Sequence, residues 1–351
     1  MIFRKFRVKR AFFVICFTVL FSLFWITIGF FRAIDNVLFW RFRTVKIEKP
    51  IFVIGNPRSG TTYLYNLLAY DDERFVAPKL YQTLFCSISM YKLFKLLGKI
   101  NPARKFKGLV NFFNNRFERF KQIHKISLMD LEEDEAIFFF TLLSPSIFFI
   151  NPFIDETNYV TIADNLSEKI KSRLANNYRR SIQRFMYEFG ENKIYFCKNV
   201  MSSGRIEIIK MAFPDAKIIY LIRDPIKAIP SMIDFYHEAW YTHSPELISG
   251  SAETKALGNE IINLYLHAHK FCKEYITVKY DELIDDPTKQ INLIYQRLGF
   301  KINAKYQKIL NQEIEKNKNY KSNHKYYLEK YGITPEYIHS RLKTVIRQNG
   351  M

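Results

Sequence analysis

The sequence predicts an α/β protein: a three-layer α/β/α domain built on a mostly parallel sheet, preceded by an N-terminal transmembrane helix. Three observations carry this reading. Short apolar runs read as buried strands at Ile51–Gly55, Ile194–Lys198, 217–223 and 275–280. Helix-compatible stretches separate them, at 61–69, 132–143, 166–189, 205–212, 226–241, 254–273 and 289–298, and such alternation implies parallel strands covered on both faces. Ahead of all of them, residues 11–31 contain no charged side chain.

That charge-free stretch follows Arg4, Lys5, Arg7, Lys9 and Arg10. As a helix rising about 1.5 Å per residue it reaches roughly 30 Å, enough to cross a bilayer. It is longer than the apolar core of a signal peptide and lacks a small-residue exit site, so it reads as a retained anchor. The next segment, FRAIDNVLFWRFR (31–43), mixes aromatics with arginines and suits a helix lying at the membrane interface. Basic residues stand on both sides of the anchor, so two topologies remain open. A one-way span places the remaining chain across the membrane, whereas a hairpin or in-plane insertion keeps it on the N-terminal side. The expected organisation is an anchor and interfacial segment at 1–49 and one α/β unit at 50–351, with no internal repeat.

The 351-residue chain carries a formal charge of +19, with 48% apolar and 17% aromatic residues. This composition excludes a disordered chain and favours anionic ligands or surfaces, although a lysine-rich coding bias yields the same balance. Cys16, Cys86, Cys197 and Cys272 form neither a C-x-x-C pair nor a Cys/His cluster, which argues against a zinc site and a disulfide framework. Much of the positive charge sits in residues 87–125, where ten Lys and Arg face Glu118 alone among interleaved Phe and Leu. Such a helical insertion is either a solvated face or a surface for anionic lipid or an acidic acceptor.

The chemistry is concentrated in two strand-to-helix turns. In IFVIGNPRSGTTYL (51–64) a buried strand runs into a glycine-bounded loop and then a helix. Backbone N–H groups converge on an anion in such a loop, and the helix adds its positive end. The phosphate-loop pattern G-x-x-x-x-G-K-[ST] requires a lysine where this chain has Thr61, while Arg58 stands inside the loop. The loop is therefore poorly suited to kinase or ATPase chemistry. The second turn, AKIIYLIRDPIKAIPSM (216–232), ends its strand at Arg223, offers Asp224 as an N-cap and Pro225 as the first helical residue. Pro230 should disturb the start of that helix.

Together these residues resemble a known family. PRSGTT (57–62) and LIRDPIKAIPS (221–231) look like the two cofactor-binding signatures of sulfotransferases that use 3′-phosphoadenosine 5′-phosphosulfate (PAPS). The likeness extends to EEDEA (132–136), AFPDAKIIYLIRDP (212–225), VKYDELIDDP (278–287) and HKYYLEKYGI (324–333), in an order and spacing that cover most of the chain after Lys49. The resemblance implies a P-loop NTPase-like fold. It implies that Arg58, Ser59, Gly60, Thr61 and Thr62 hold the 5′-phosphosulfate, and that Arg223 and Ser231 hold the 3′-phosphate. It further implies PAPS as co-substrate, no metal, and in-line transfer to a hydroxyl or amine, with positioning and charge stabilisation dominating.

The proton acceptor is less evident. Many relatives carry a histidine shortly after the lysine matched by Lys198, but this chain continues Asn199-Val200-Met201-Ser202. Lys198 could steady the leaving phosphate. Of the acidic run, Glu133 is the favoured base, with His124 upstream as a second candidate; an acidic helix start is the competing reading. His237, His243 and Tyr280 are weaker candidates. The acceptor class stays open, with an acidic glycan or a lipid foremost, a membrane as partner, and no nucleic acid. A P-loop kinase and a basic membrane adaptor are the alternatives to the transferase.

Overall fold

The computed structural model describes residues 5–56, 58–98, 128–190, 192–317 and 328–351. Most of the basic insertion, including His124, lies outside these residues, as do Pro57 and the first part of the 324–333 motif. Five strands form one parallel sheet: β1 (Ile51–Gly55), β2 (Phe75–Val76), β3 (Ile194–Lys198), β4 (Lys217–Ile222) and β5 (Ile276–Lys279), in the order β2-β3-β1-β4-β5. β1 is central, with Ile51 opposite Phe196 of β3 on one side and Lys217 of β4 on the other.

The described helices are α1 (Val8–Leu38), α2 (Thr61–Ala69), α3 (Leu80–Leu84), α4 (Ile88–Gly98), α5 (Glu135–Phe139), α6 (Glu168–Phe189), α7 (Ile206–Ala212), α8 (Pro225–Tyr241), α9 (Ala252–His269), α10 (Tyr280–Asp285), α11 (Pro287–Leu298), α12 (Ala304–Asn317) and α13 (Pro335–Asn349). Strand alternation sorts them into two layers. Phe52 and Ile54 of β1 pack with α6, α7, α8, α9 and α13. Ile51 and Val53, pointing the other way, pack with α2, α10, α11 and α12. The three-layer α/β/α arrangement follows.

Several boundaries differ from those expected. The expected helix at 132–143 is only Glu135–Phe139, because Asp134 becomes its N-cap and Leu142 takes a left-handed φ of 57°. β5 ends at Lys279, and Tyr280 opens α10 instead of closing the strand. α8 keeps its expected course through Pro230 to Tyr241, with Asp224 capping it by accepting from Ile226 N.

α1 is the one helix among the described residues long and apolar enough to cross a membrane. It also touches the domain along one flank. Phe13 stacks on His243 at 4.6 Å, Phe21 meets Phe139 and Phe140, and Phe24 meets Phe85 and Phe140. Near its end the buried Asp35 accepts from Ile88 N at 3.0 Å and Ser89 N at 2.8 Å, and pairs with Arg184 at 3.0 Å. Asp35 thus completes the start of α4, whose first N–H groups need acceptors.

Candidate functional site

The strand order brings the two anion-suited turns together. From β1 the chain turns towards β2, whereas from β4 it turns towards β5, so a crevice opens between their carboxyl ends. Ligands in open α/β sheets bind at such a switch point. The β1 turn carries Asn56, Arg58, Ser59 and Gly60, and the β4 turn carries Arg223 and Asp224.

Contacts between the turns are direct. Arg223 Nη1 donates to the Arg58 carbonyl at 2.9 Å, and Arg58 Nε donates to Ser231 Oγ, on α8, at 3.1 Å. Arg58 holds a left-handed φ of 68°, and Gly60 one of 85°. A Cβ on Gly60 would stand 2.6 Å from two ring carbons of Tyr280. The Arg223 guanidinium lies 4.3 Å from the centre of the same ring. Tyr280 therefore braces both turns, and the Tyr265 hydroxyl donates to the Arg223 carbonyl at 3.2 Å from α9.

α2 begins at Thr61 behind Gly60 with no side chain capping it, so its first N–H groups face the crevice end of the sheet. Ser59 Oγ, Arg223 Nε and both side-chain amide atoms of Asn56 are buried without a hydrogen bond of good geometry among the described residues, although the Tyr265 hydroxyl sits beside Asn56 and Ser59. Buried polar groups of this kind need partners. Cationic, hydroxyl and backbone donors in one crevice make it chemically an anion site.

A third element arrives from β3. Lys198, 2% exposed, donates to Thr62 Oγ1 at 3.0 Å and pairs with Glu133 Oε1 at 3.2 Å. Glu133 Oε2 accepts from Val200 N at 3.3 Å. Burial raises the Glu133 carboxyl above its ordinary range; the Lys198 charge pulls it back only in part, and Glu132 and Glu135 add to the rise. The next residue, Asp134, is fully buried and accepts from the Tyr178 and Tyr195 hydroxyls and from Asn199 Nδ2. Glu135 forms a two-pronged pair with Arg205 at 2.7 and 3.0 Å. These ties hold Glu133 and Asp134 ahead of α5, which begins at Glu135, and fix where Glu133 sits.

Comparison with known proteins identifies the architecture. Residues 50–304 match the model of the Sulfotransferase family. The chain belongs to the sulfotransferase family. Among curated relatives, this sulfotransferase is 26% identical over 294 residues to the omega-hydroxy-beta-dihydromenaquinone-9 sulfotransferase Stf3 of Mycobacterium bovis and to that of Mycobacterium tuberculosis, covering 80% of this chain and 70% of each relative. Its fold is similar to that of STF9 from Mycobacterium avium (TM-score 0.73, 17% identity, covering 91% of this chain and 81% of that one). It is also similar to that of STF1 from Mycobacterium tuberculosis (TM-score 0.64, 18% identity, 90% and 81%).

Of the residues singled out from the sequence, the structure gathers Arg58, Ser59, Gly60, Thr61, Thr62, Arg223 and Ser231 around the crevice, and places Lys198 against Thr62 and Glu133 against Lys198. His124 is not among the described residues. His237 and His243 serve elsewhere: His237 Nε2 bonds the Leu247 carbonyl at 2.8 Å and His243 Nε2 the Phe149 carbonyl at 3.0 Å. Tyr265, Asp134, Tyr178 and Tyr195 were not legible as site supports, because nothing in their neighbours along the chain marks contacts made between distant elements.

Proposed function

We propose that this sulfotransferase takes 3′-phosphoadenosine 5′-phosphosulfate as donor and transfers its sulfuryl group to a hydroxyl of a lipid acceptor. The observation that carries the donor assignment is the joining of the two turns: Arg58 reaches Ser231 and Arg223 reaches Arg58. One nucleotide charged at both its 3′ and 5′ positions matches two anion cradles in a single crevice. The buried, poorly satisfied Ser59, Asn56 and Arg223 atoms support the fit, as does the glycine-only approach at Gly60.

In this reading the β1 loop and the start of α2 hold the phosphosulfate end through Ser59, Thr61, Thr62 and backbone N–H groups. Arg223 and Ser231 hold the 3′-phosphate. When bound, the donor supplies the activated sulfuryl group. Arg58 and Lys198 neutralise the charge that builds as that group moves, in the place a metal takes in phosphoryl transfer. Glu133 accepts the proton of the attacking hydroxyl, and its raised pKa brings it nearer the working range of a general base. Asp134, locked by two tyrosines and Asn199, positions it.

The lipid acceptor is supported by the Stf3 relatives, whose name gives a hydroxylated menaquinone derivative as substrate, and by the apolar α1 beside the domain. The test is to incubate the enzyme with sulfur-labelled donor and separated lipid and glycan extracts of its host. Label entering a lipid fraction, and lost in the Glu133→Gln variant, is the expected outcome. Label confined to glycans would overturn the acceptor assignment and leave the donor assignment standing.

A further inference from the structure

α1 has two apolar faces with different partners. Arg10, Phe13, Phe17, Phe21, Phe24, Ile28, Arg32 and Asp35 follow one another at spacings of three or four and share one face. This stripe meets the domain through Phe139, Phe140, Phe85 and His243, and through Asn177 and Ser181, both of which bond Arg32. Phe12, Ile15, Val19, Leu23, Ile26, Phe30 and Val37 lie on the opposite face, each more than half exposed. Nothing in the described chain covers them.

The ends of the docked stripe fix its attitude. Arg10, fully buried, pairs with Glu246 at 2.6 Å and lies over the Phe153 ring at 4.9 Å. Twenty-five residues later, Asp35 pairs with Arg184 at 3.0 Å. At about 1.5 Å per residue these anchors are roughly 38 Å apart along the helix, further than the roughly 30 Å hydrocarbon core. A helix crossing that core could keep both anchors only by drawing the polar catalytic domain into lipid. Exposed cations also bracket the apolar face: Arg7 and Lys9 at one end, Arg41, Arg43 and Lys46 at the other. Cations rimming an exposed apolar helix face complement an anionic leaflet.

We propose that α1 lies in the plane of the membrane, one face docked on the catalytic domain and the other sunk in an anionic leaflet, with both chain termini and the domain on the same side. The partner is the bilayer surface. The placement also reaches the site: α5, whose Phe139 meets Phe17 and Phe21, begins directly after Glu133 and Asp134. Resting on the lipid-acceptor reading, this makes the leaflet the route by which the acceptor hydroxyl arrives at Glu133. The membrane placement itself does not depend on that reading.

The test uses the full chain, tagged at both ends and bound to vesicles of phosphatidylglycerol and phosphatidylcholine, with external protease as the reporter. Both tags should be cut from the same side without detergent; protection of one tag only would overturn the proposal. Leu23→Glu and Phe30→Glu should weaken vesicle flotation at least tenfold while leaving thermal unfolding in detergent unchanged. Flotation unaffected by both, equal on purely neutral vesicles, or replaced by dimerisation without vesicle binding, would also overturn it. Flotation weakened as expected, with sulfuryl transfer to the lipid fraction unchanged, would count against the acceptor reading alone.

Discussion

At the residue scale the proposed reaction turns on three residues. Glu133 sits where burial opposes its charge more than Lys198 favours it, so its carboxyl lies above the ordinary value of 4.5. A general base must be ionised. The acidic limb of kcat/KM should therefore fall at a pH above 4.5, and Glu133→Gln should abolish that limb while lowering the rate by about 10²–10⁴-fold. The sign for stability is opposite to that for activity. A raised carboxyl pKa costs nothing below the unfolded value, and its cost grows as pH rises through the folded one. Gly60 is the second residue. Its φ of 85° and the Tyr280 ring at 2.6 Å leave no room for a side chain. Left-handed backbone costs a non-glycine residue about 1–2 kcal/mol, so Gly60→Ala should weaken nucleotide binding about tenfold or more by calorimetry. The third, Arg58, was legible because it stands inside a local loop signature. Tyr280 was only faintly legible, since its place beneath Gly60 and Arg223 is made by the fold and not by its neighbours in sequence.

Elements succeed or fail here by who satisfies their ends. α2 starts uncapped because its first N–H groups serve the crevice, whereas α4 starts on the Asp35 carboxylate. Replacing Asp35 by Ala leaves Arg184 buried without its carboxylate partner and two backbone donors, Ile88 N and Ser89 N, unmet. Loss of one member of a buried pair typically costs about 3–5 kcal/mol, and denaturant unfolding should show a loss of that order. β1, β3 and α2 were legible at their true bounds because apolar runs and flanking glycines mark them. The two-residue β2 was not, being too short to show a period, and pairing with β3 alone makes it a strand. The expected 132–143 helix fell short for a different reason: the tyrosine and lysine partners of Asp134 and Glu133 outbid helical propensity.

For the whole molecule, alternating strands and helices made the parallel three-layer design readable, but no periodicity reveals strand order. The order β2-β3-β1-β4-β5 is what sets Arg58 beside Arg223. α1 was legible as apolar, yet with both faces apolar its pattern could not say that one face belongs to the domain. In the proposed function these two cradles form one site for a nucleotide charged at both ends. Titration calorimetry of the whole protein with adenosine 3′,5′-bisphosphate, beside ATP with magnesium, tests it most directly. The bisphosphate should bind more tightly than ATP, and Arg58→Ala and Arg223→Ala should each weaken it by about 10–100-fold, as loss of a charged hydrogen bond of about 1.5–3 kcal/mol implies. Equal or tighter binding of ATP with magnesium, or bisphosphate binding indifferent to both substitutions, would contradict it.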